Sequence, residues 1–138
     1  MLRTMRLRRA LLVVAAISFA AIDLLHKSIE QTEFHHPRTP FVAVLMAALV
    51  VALVMLVPRI PSNAAALGAG IACGGALGNL VSLFVWSQGV PDPLVLAGDT
   101  HGLAFNLADL FALTGDALLL SAAAIHGVRH RDRLRERI

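Results

Sequence analysis

Four long apolar segments constrain this 138-residue chain more than any other feature of its sequence. They cover residues 10–25, 41–57, 64–86 and 103–126, and polar or proline-containing stretches separate them. A helix needs about 20 mostly apolar residues to cross the roughly 30 Å hydrocarbon core of a bilayer. With 57% hydrophobic residues, the chain has more apolar surface than a water-soluble core of this size can bury. The sequence therefore predicts an all-α membrane protein, a single domain formed by a bundle of four transmembrane helices.

The basic residues predict how this bundle is oriented. Of the 12 Lys and Arg residues, all but Lys27 and Arg38 lie in the N-terminal tail, in the turn around Arg59 or in the C-terminal tail. Positive charge favours the cytoplasmic side of a membrane, so both termini are expected in the cytoplasm. Residues 26–40 and 87–102 then form external loops. Because the basic clusters abut apolar segments, membrane topology explains them better than nucleic-acid binding does.

The first apolar segment has a second interpretation. Its basic start, its apolar stretch and the small residues Ser18 and Ala20 are also features of a cleavable signal peptide. The apolar segment continues to about Leu25, which favours a helix that is retained in the protein.

Glycines define one face of the third segment. Gly70, Gly74 and Gly78 recur every four residues, which places them on one side of a helix. Such a face lets another helix approach closely, so these glycines are interpreted as packing residues. Cys73, the single cysteine, has no partner for a disulfide and is expected to be a small buried residue.

Ionisable side chains are costly inside membrane spans, which makes them the first candidates for function. Asp23 and Lys27 are four residues apart in the first helix and are expected to pair on one face. The pair is either a neutralising ion pair whose lysine extends outward to the membrane surface, or it holds a loop or substrate there. Asn106 and Asp109 suit an N-terminal cap and a first-turn acid of the fourth helix.

Three further acids lie close to the spans. Asp92 stands between two prolines in the second external loop, where it is either a turn residue or a carboxylate held in one direction. Asp99 in the same loop is a weaker alternative for any role given to Asp92. Asp116 lies seven residues beyond Asp109 in the fourth helix, and the sequence does not identify its partner.

These residues resemble the lipoprotein signal peptidases, also called signal peptidase II. The matching motifs are Asp23-Leu24-Leu25-His26-Lys27, Gly74-Gly75-Ala76-Leu77-Gly78-Asn79-Leu80, Gly89-Val90-Pro91-Asp92 and Phe105-Asn106-Leu107-Ala108-Asp109. Membership implies an aspartyl endopeptidase that cuts signal peptides from lipid-modified prolipoproteins at the outer face of the bacterial plasma membrane. Such an enzyme uses two aspartates and neither a metal nor a cofactor.

The resemblance implies roles for particular residues of this chain. Asp92 and Asp109 become the catalytic pair, which titrates as a unit because two carboxylates held close do not both ionise. The implied partners are lipid-modified signal peptides and membrane lipids, with no nucleic acid. The implied supporting polar residues are Asp23, Lys27, Asn79 and Asn106.

The chain departs from the pattern of this family in its sequence. Ser82 and Leu83 stand where the family usually has an Asp-Arg pair, and Pro93 replaces an aromatic residue. The first external loop is short around residues 33–38, and fewer residues than usual separate the two implied catalytic aspartates.

Two other functions stay open on sequence alone. A catalytically silent relative would bind lipidated peptides or a membrane partner without cleaving anything. A small metal or proton carrier would use oxygen and imidazole ligands on the external side, with Asp116 deeper on the path. Its external residues would be His35, His36, Asp99 and His101. Adjacent histidines point in different directions, which makes His35 and His36 a weak chelating pair.

Overall fold

The four apolar segments form four long helices. The structure is a computed structural model that describes residues 2–96 and 102–135, the last four by their backbone alone. The helices are α1 (Leu2–Ile29), α2 (Pro40–Leu56), α3 (Asn63–Val85) and α4 (Leu107–Arg135). Each is long and apolar enough to cross a bilayer. The predicted all-α fold with four spanning helices is confirmed, and the chain is a multi-pass membrane protein.

Local capping explains where two of these helices begin. The Thr39 side chain accepts a hydrogen bond from the Val42 amide, and Pro40 occupies the first position of α2. Ser62 caps α3 in the same way by accepting from the Ala65 amide at 3.2 Å. The turn that was predicted between the second and third spans contains one turn of 3₁₀ helix at residues 57–59.

The N-terminal end of α1 lies beside this turn. The Arg8 guanidinium donates a hydrogen bond to the Pro58 carbonyl at 3.1 Å. The basic start of α1 and the turn around Arg59 therefore share one end of the bundle, as the charge pattern predicts. The assignment of that end to the cytoplasm stays a prediction.

Helix α3 is the centre of the bundle because its glycines admit a helix on two sides. A Cβ atom added at Gly70 would lie 2.7 Å from the Leu12 carbonyl oxygen of α1, and one at Gly74 would lie 2.6 Å from the Phe19 Cβ. On the opposite side, a Cβ at Gly75 would overlap the Ala108 carbonyl of α4. The predicted packing role of the α3 glycines is confirmed.

The core is built from small side chains, as is usual where membrane helices pack closely. Its buried residues include Leu12, Ala65, Ala69, Cys73 and Leu119. Helix α2 packs mainly against α3 at the edge of the bundle and has no buried residue. Its exposed apolar side chains, among them Val44 and Val51, point outward, where the acyl chains of a bilayer would cover them.

Two short antiparallel strand pairs join the helices at the other end of the bundle. Strand β1 (His35–His36) pairs with β2 (Val90–Pro91), and β3 (Leu94–Leu96) pairs with β4 (Leu103–Phe105). Hydropathy alone assigned residues 103–105 to the fourth span. They form β4 instead, because Asn106 caps α4 and the helix begins only at Leu107.

The close approach of α3 to α4 gives a test of the fold. Gly75→Ala is expected to lower the free energy of unfolding by about 1–3 kcal/mol, because the new methyl group overlaps backbone of α4. Gly127→Ala is the matched control, since nothing lies within 4 Å of a Cβ at that position. Thermal unfolding in detergent measures both. Equal effects of the two substitutions would contradict the packing described.

Candidate active site

A buried ion pair lies where α1, α3 and α4 meet. The Lys27 ammonium is 2.7 Å from Asp23 Oδ2, and both side chains are 0% exposed. The ammonium also donates to Asn79 Oδ1 at 2.8 Å and to Ser82 Oγ at 3.2 Å. The predicted pairing is confirmed, but the expectation that Lys27 extends outward to the membrane surface is wrong. The three N–H groups of the Lys27 ammonium all donate to acceptors inside the bundle. These acceptors compensate the positive charge better than the apolar outer surface of the bundle would.

The second oxygen of Asp23 binds the start of α4. Oδ1 accepts a hydrogen bond from the Ala108 amide at 2.8 Å, so the carboxylate satisfies a backbone donor in the first turn of that helix. Gly78 provides the space for this carboxylate, since a Cβ there would overlap Oδ2. The Asp23 carboxylate thus contacts both α3 and α4.

Asn106 and Asp109 cap α4 reciprocally. Asn106 Oδ1 accepts from the Asp109 amide, and Asp109 Oδ2 accepts from the Asn106 amide, each at 3.2 Å. This is a capping box, in which the side chain of each residue accepts a hydrogen bond from the free backbone amide of the other at the start of a helix. The predicted capping role of these residues is confirmed.

The other oxygen of Asp109 faces α3 and the first external loop. Asn79 Nδ2 donates to Asp109 Oδ1 at 3.2 Å, and an Arg38 guanidinium nitrogen lies 3.9 Å from the same oxygen. The Asp109 side chain is 35% exposed. A carboxylate that is held at both oxygens and still open to its surroundings is suited to contact a ligand.

Asp92 is buried beside this group. Its side chain is 2% exposed, and Oδ1 accepts a hydrogen bond from Asn106 Nδ2 at 2.6 Å. Its Oδ2 contacts the His36 Nδ1 atom. Asn106 therefore binds the carboxylates of both Asp92 and Asp109, one with its side-chain amide and the other with its backbone. The two implied catalytic acids come from separate segments and meet at this asparagine.

A cavity of about 210 Å³ opens beside Asp109. Apolar residues of α2, among them Leu49 and Val50, form one wall, and α3 and α4 form the others. Asn79 and Asp109 lie in its lining, and Asp116 lies in it two turns further along α4. The cavity has the composition expected of a binding cleft, with apolar walls and a few polar groups.

The residues of the metal-carrier hypothesis are only partly described. His35 and His36 form β1, where the His35 ring contacts the Glu33 carbonyl and the His36 ring contacts Asp92. Asp99 and His101 lie outside the described residues. The alternative that Asp99 takes the role given to Asp92 therefore stays a prediction. Within residues 2–96 and 102–135, no three His, Cys, Asp or Glu side chains are grouped to hold a metal ion.

Three contact residues of the site were not predicted. Ser82 lies three positions after Asn79 and shares its helix face, a signal that the sequence contains. His36 and Arg38 reach the carboxylates from the first external loop. The pairing of β1 with β2 brings this loop to the site, and strands of two residues have no periodicity to reveal them.

A comparison with protein families gives a match. A protein-family model described as signal peptidase (SPase) II matches residues 15–125, which include the ion pair, both carboxylates and the asparagine between them. No curated protein and no solved structure matches the chain.

The buried ion pair gives a test of the site's framework. Lys27→Met leaves the Asp23 charge without its partner, so the free energy of unfolding is expected to fall by about 3–5 kcal/mol. Combining it with Asp23→Asn is expected to restore part of this loss, because the isolated charge is then removed. Unfolding in detergent measures both, with Ser28→Met on the exposed side of α1 as control. A loss no larger than that of the control would contradict a buried pair.

Proposed function

The chain belongs to the signal peptidase II family, and on this premise we propose that it is an aspartyl endopeptidase with Asp92 and Asp109 as its catalytic pair. Its substrates would be lipid-modified prolipoproteins, cut at the outer face of the bacterial plasma membrane to release the signal peptide. The observation that carries the proposal is the bridging of both carboxylates by Asn106 beside an open cavity.

The chemistry requires one proton on the pair. The ionised carboxylate takes a proton from a water molecule while the water oxygen forms a bond to the scissile carbonyl carbon. The protonated carboxyl gives its proton to the carbonyl oxygen, so a neutral tetrahedral intermediate forms. When this intermediate collapses, the carbon–nitrogen bond breaks and the leaving amine takes the proton that the water gave to the pair. One hydroxyl of the intermediate returns a proton to the carboxylate that had given its own, so a carboxylic acid is released and the pair again holds one proton. One member of the pair would hold the proton while the other is ionised, and Asn106 binds both carboxylates.

The cavity supports an approach of the substrate from within the membrane. Helix α2 packs at the edge of the bundle, and the cavity lies between its apolar side chains and α4. A lipid-anchored peptide would move along the bilayer into this space and present its scissile bond to Asp109. Water would come from the side of the external loops.

Three of the remaining polar residues would support the pair by holding Asp109 and the start of α4. Lys27 holds Asn79, and Asn79 holds Asp109 through its amide. Asp23 holds the first turn of α4, where Asp109 lies. This set limits how far Asp109 can move, and carboxylates must be held within a fraction of an ångström for proton transfer.

Substitution of either aspartate tests the proposed catalytic pair. Asp92→Asn and Asp109→Asn are each expected to lower kcat for a diacylglyceryl-modified prolipoprotein peptide by about 10²–10⁴-fold, since an amide cannot take up the proton of the water. Glu30→Gln, on an exposed acid at the end of α1, is the control and is expected to cleave normally. Mass spectrometry of the released signal peptide measures the rate.

Two results would contradict the proposal. Full cleavage by either aspartate variant would remove that residue from the pair. A folded wild-type protein that binds the peptide but never cleaves it, with equal affinity after Asp109→Asn, would identify a catalytically silent relative.

The proposed path of the substrate has its own test. Val50→Trp places a large side chain in the cavity and is expected to raise KM for the lipid-modified peptide about tenfold or more, with a smaller effect on kcat. Val51→Trp is the matched control, because Val51 is 62% exposed on the outer side of the same helix. Steady-state kinetics in lipid nanodiscs compares the two. The same KM for both variants would mean that the peptide does not enter beside α2.

A further inference from the structure

We propose that His36 is a positioning residue for Asp92, whose carboxylate it holds by donating its Nδ1–H to Oδ2. This inference rests on the proposed function and assigns a role to a residue of the first external loop. It is carried by the contact between the two side chains and by the way the loop is attached to the Asp92 segment.

The backbone of Asp92 is held by the same loop on both sides. The Asp92 amide donates to the Phe34 carbonyl at 3.0 Å, and the Thr32 hydroxyl donates to the Asp92 carbonyl at 3.2 Å. With the His36 side chain, the loop contacts Asp92 through its amide, its carbonyl and its carboxylate. Residues 32–36 therefore fix both the place and the direction of this side chain.

The strand pair fixes His36 itself. In the pairing of β1 with β2, His36 lies opposite Val90, two residues before Asp92. Gly89 has φ of +111°, a conformation that side chains rarely adopt, and a Cβ there would lie 2.7 Å from the His36 carbonyl oxygen. The close turn at Gly89 brings the backbone of His36 against β2, which fixes the point from which the ring reaches Asp92.

The Asp92 carboxylate depends on two donors, one for each oxygen. Asn106 Nδ2 donates to Oδ1 at 2.6 Å, and His36 is the group at Oδ2 among the described contacts. Asp92 is almost fully buried, so an oxygen that lost its donor would be costly to leave unsatisfied. Without His36, the Asp92 carboxylate would rotate to find another donor for Oδ2. This rotation would change the geometry of the catalytic pair.

The exposed fractions of the two acids indicate on which side of the catalytic pair His36 lies. The His36 side chain is 59% exposed and lies over Asp92, which is 2% exposed, whereas Asp109 is 35% exposed on the cavity side. The substrate would therefore meet the pair from Asp109, and the imidazole would support Asp92 from behind. From the same loop, the Arg38 guanidinium lies 3.9 Å from Asp109.

Three variants of the loop test the inference. His36→Leu is expected to lower kcat for the lipid-modified peptide about ten- to a hundredfold, the equivalent of one charge-assisted hydrogen bond, with KM changed less than about twofold. His36→Asn is expected to restore most of the rate, because its Nδ2 occupies the position of the imidazole Nδ1. His35→Leu is the matched control, since among the described residues its ring has a polar contact with the neighbouring Glu33 carbonyl at 3.4 Å and none with Asp92.

A second measurement tests the contact without any cleavage. The shift in Tm caused by His36→Leu is compared in the wild type and in Asp92→Ala. A shift that is present with Asp92 and lost without it supports the inference. Equal shifts in both backgrounds overturn it, since the two side chains are then independent.

The two proposals fail in different ways. If the wild type cleaves the peptide and His36→Leu cleaves at least as fast, or His36→Asn is as slow as His36→Leu, the role of His36 is overturned and the peptidase stands. If the wild type does not cleave the peptide, the proposed function fails and the Tm comparison decides whether His36 holds Asp92.

Discussion

The buried pair of Asp23 and Lys27 is the interaction on which the arrangement of the helices depends. A charge inside the bundle is tolerated only when its partner and its other hydrogen bonds are all present. Those partners come from α3 through Asn79 and Ser82, and from α4 through the Ala108 amide. The pair therefore couples the three helices in one register, which small residues alone would leave free to slide.

The polar groups of the site form one continuous set. Each residue is hydrogen-bonded to the next, in the order Asp23, Lys27, Asn79, Asp109, Asn106, Asp92 and His36. Asp109 and Asn106 are joined through their backbone amides, and the other bonds run between side chains. Its inner end is the ion pair within the bundle, and its outer end is an exposed imidazole. The two carboxylates of the proposed catalytic pair lie between these ends, close to the point where α4 begins. A site built in this way is held by hydrogen bonds on the protein side, and Asp109 is open toward the cavity beside α2.

Hydropathy and short sequence motifs predict the four helices and part of the site. Four apolar segments of sufficient length predict the four spans, the spacing of Gly70 and Gly74 predicts close packing, and Asn106 with Asp109 predicts a helix cap. The direction of Lys27 was not predictable, because a spacing of four residues defines a face and not the helix that covers it. The sequence places His36 in a polar loop and does not predict its contact with Asp92. This contact arises from strand pairing between distant segments, which leaves no local pattern in the sequence.

The central claim is that Asp92 and Asp109 act together on one scissile bond. A structure of the protein with a lipid-modified peptide, in which a secondary alcohol replaces that bond, tests this most directly because such alcohols imitate the tetrahedral intermediate. The account predicts that the hydroxyl lies within hydrogen-bonding distance of both carboxyl groups, with the peptide in the cavity between α2 and α4. A hydroxyl that contacts one aspartate alone, or a peptide bound elsewhere, would contradict it.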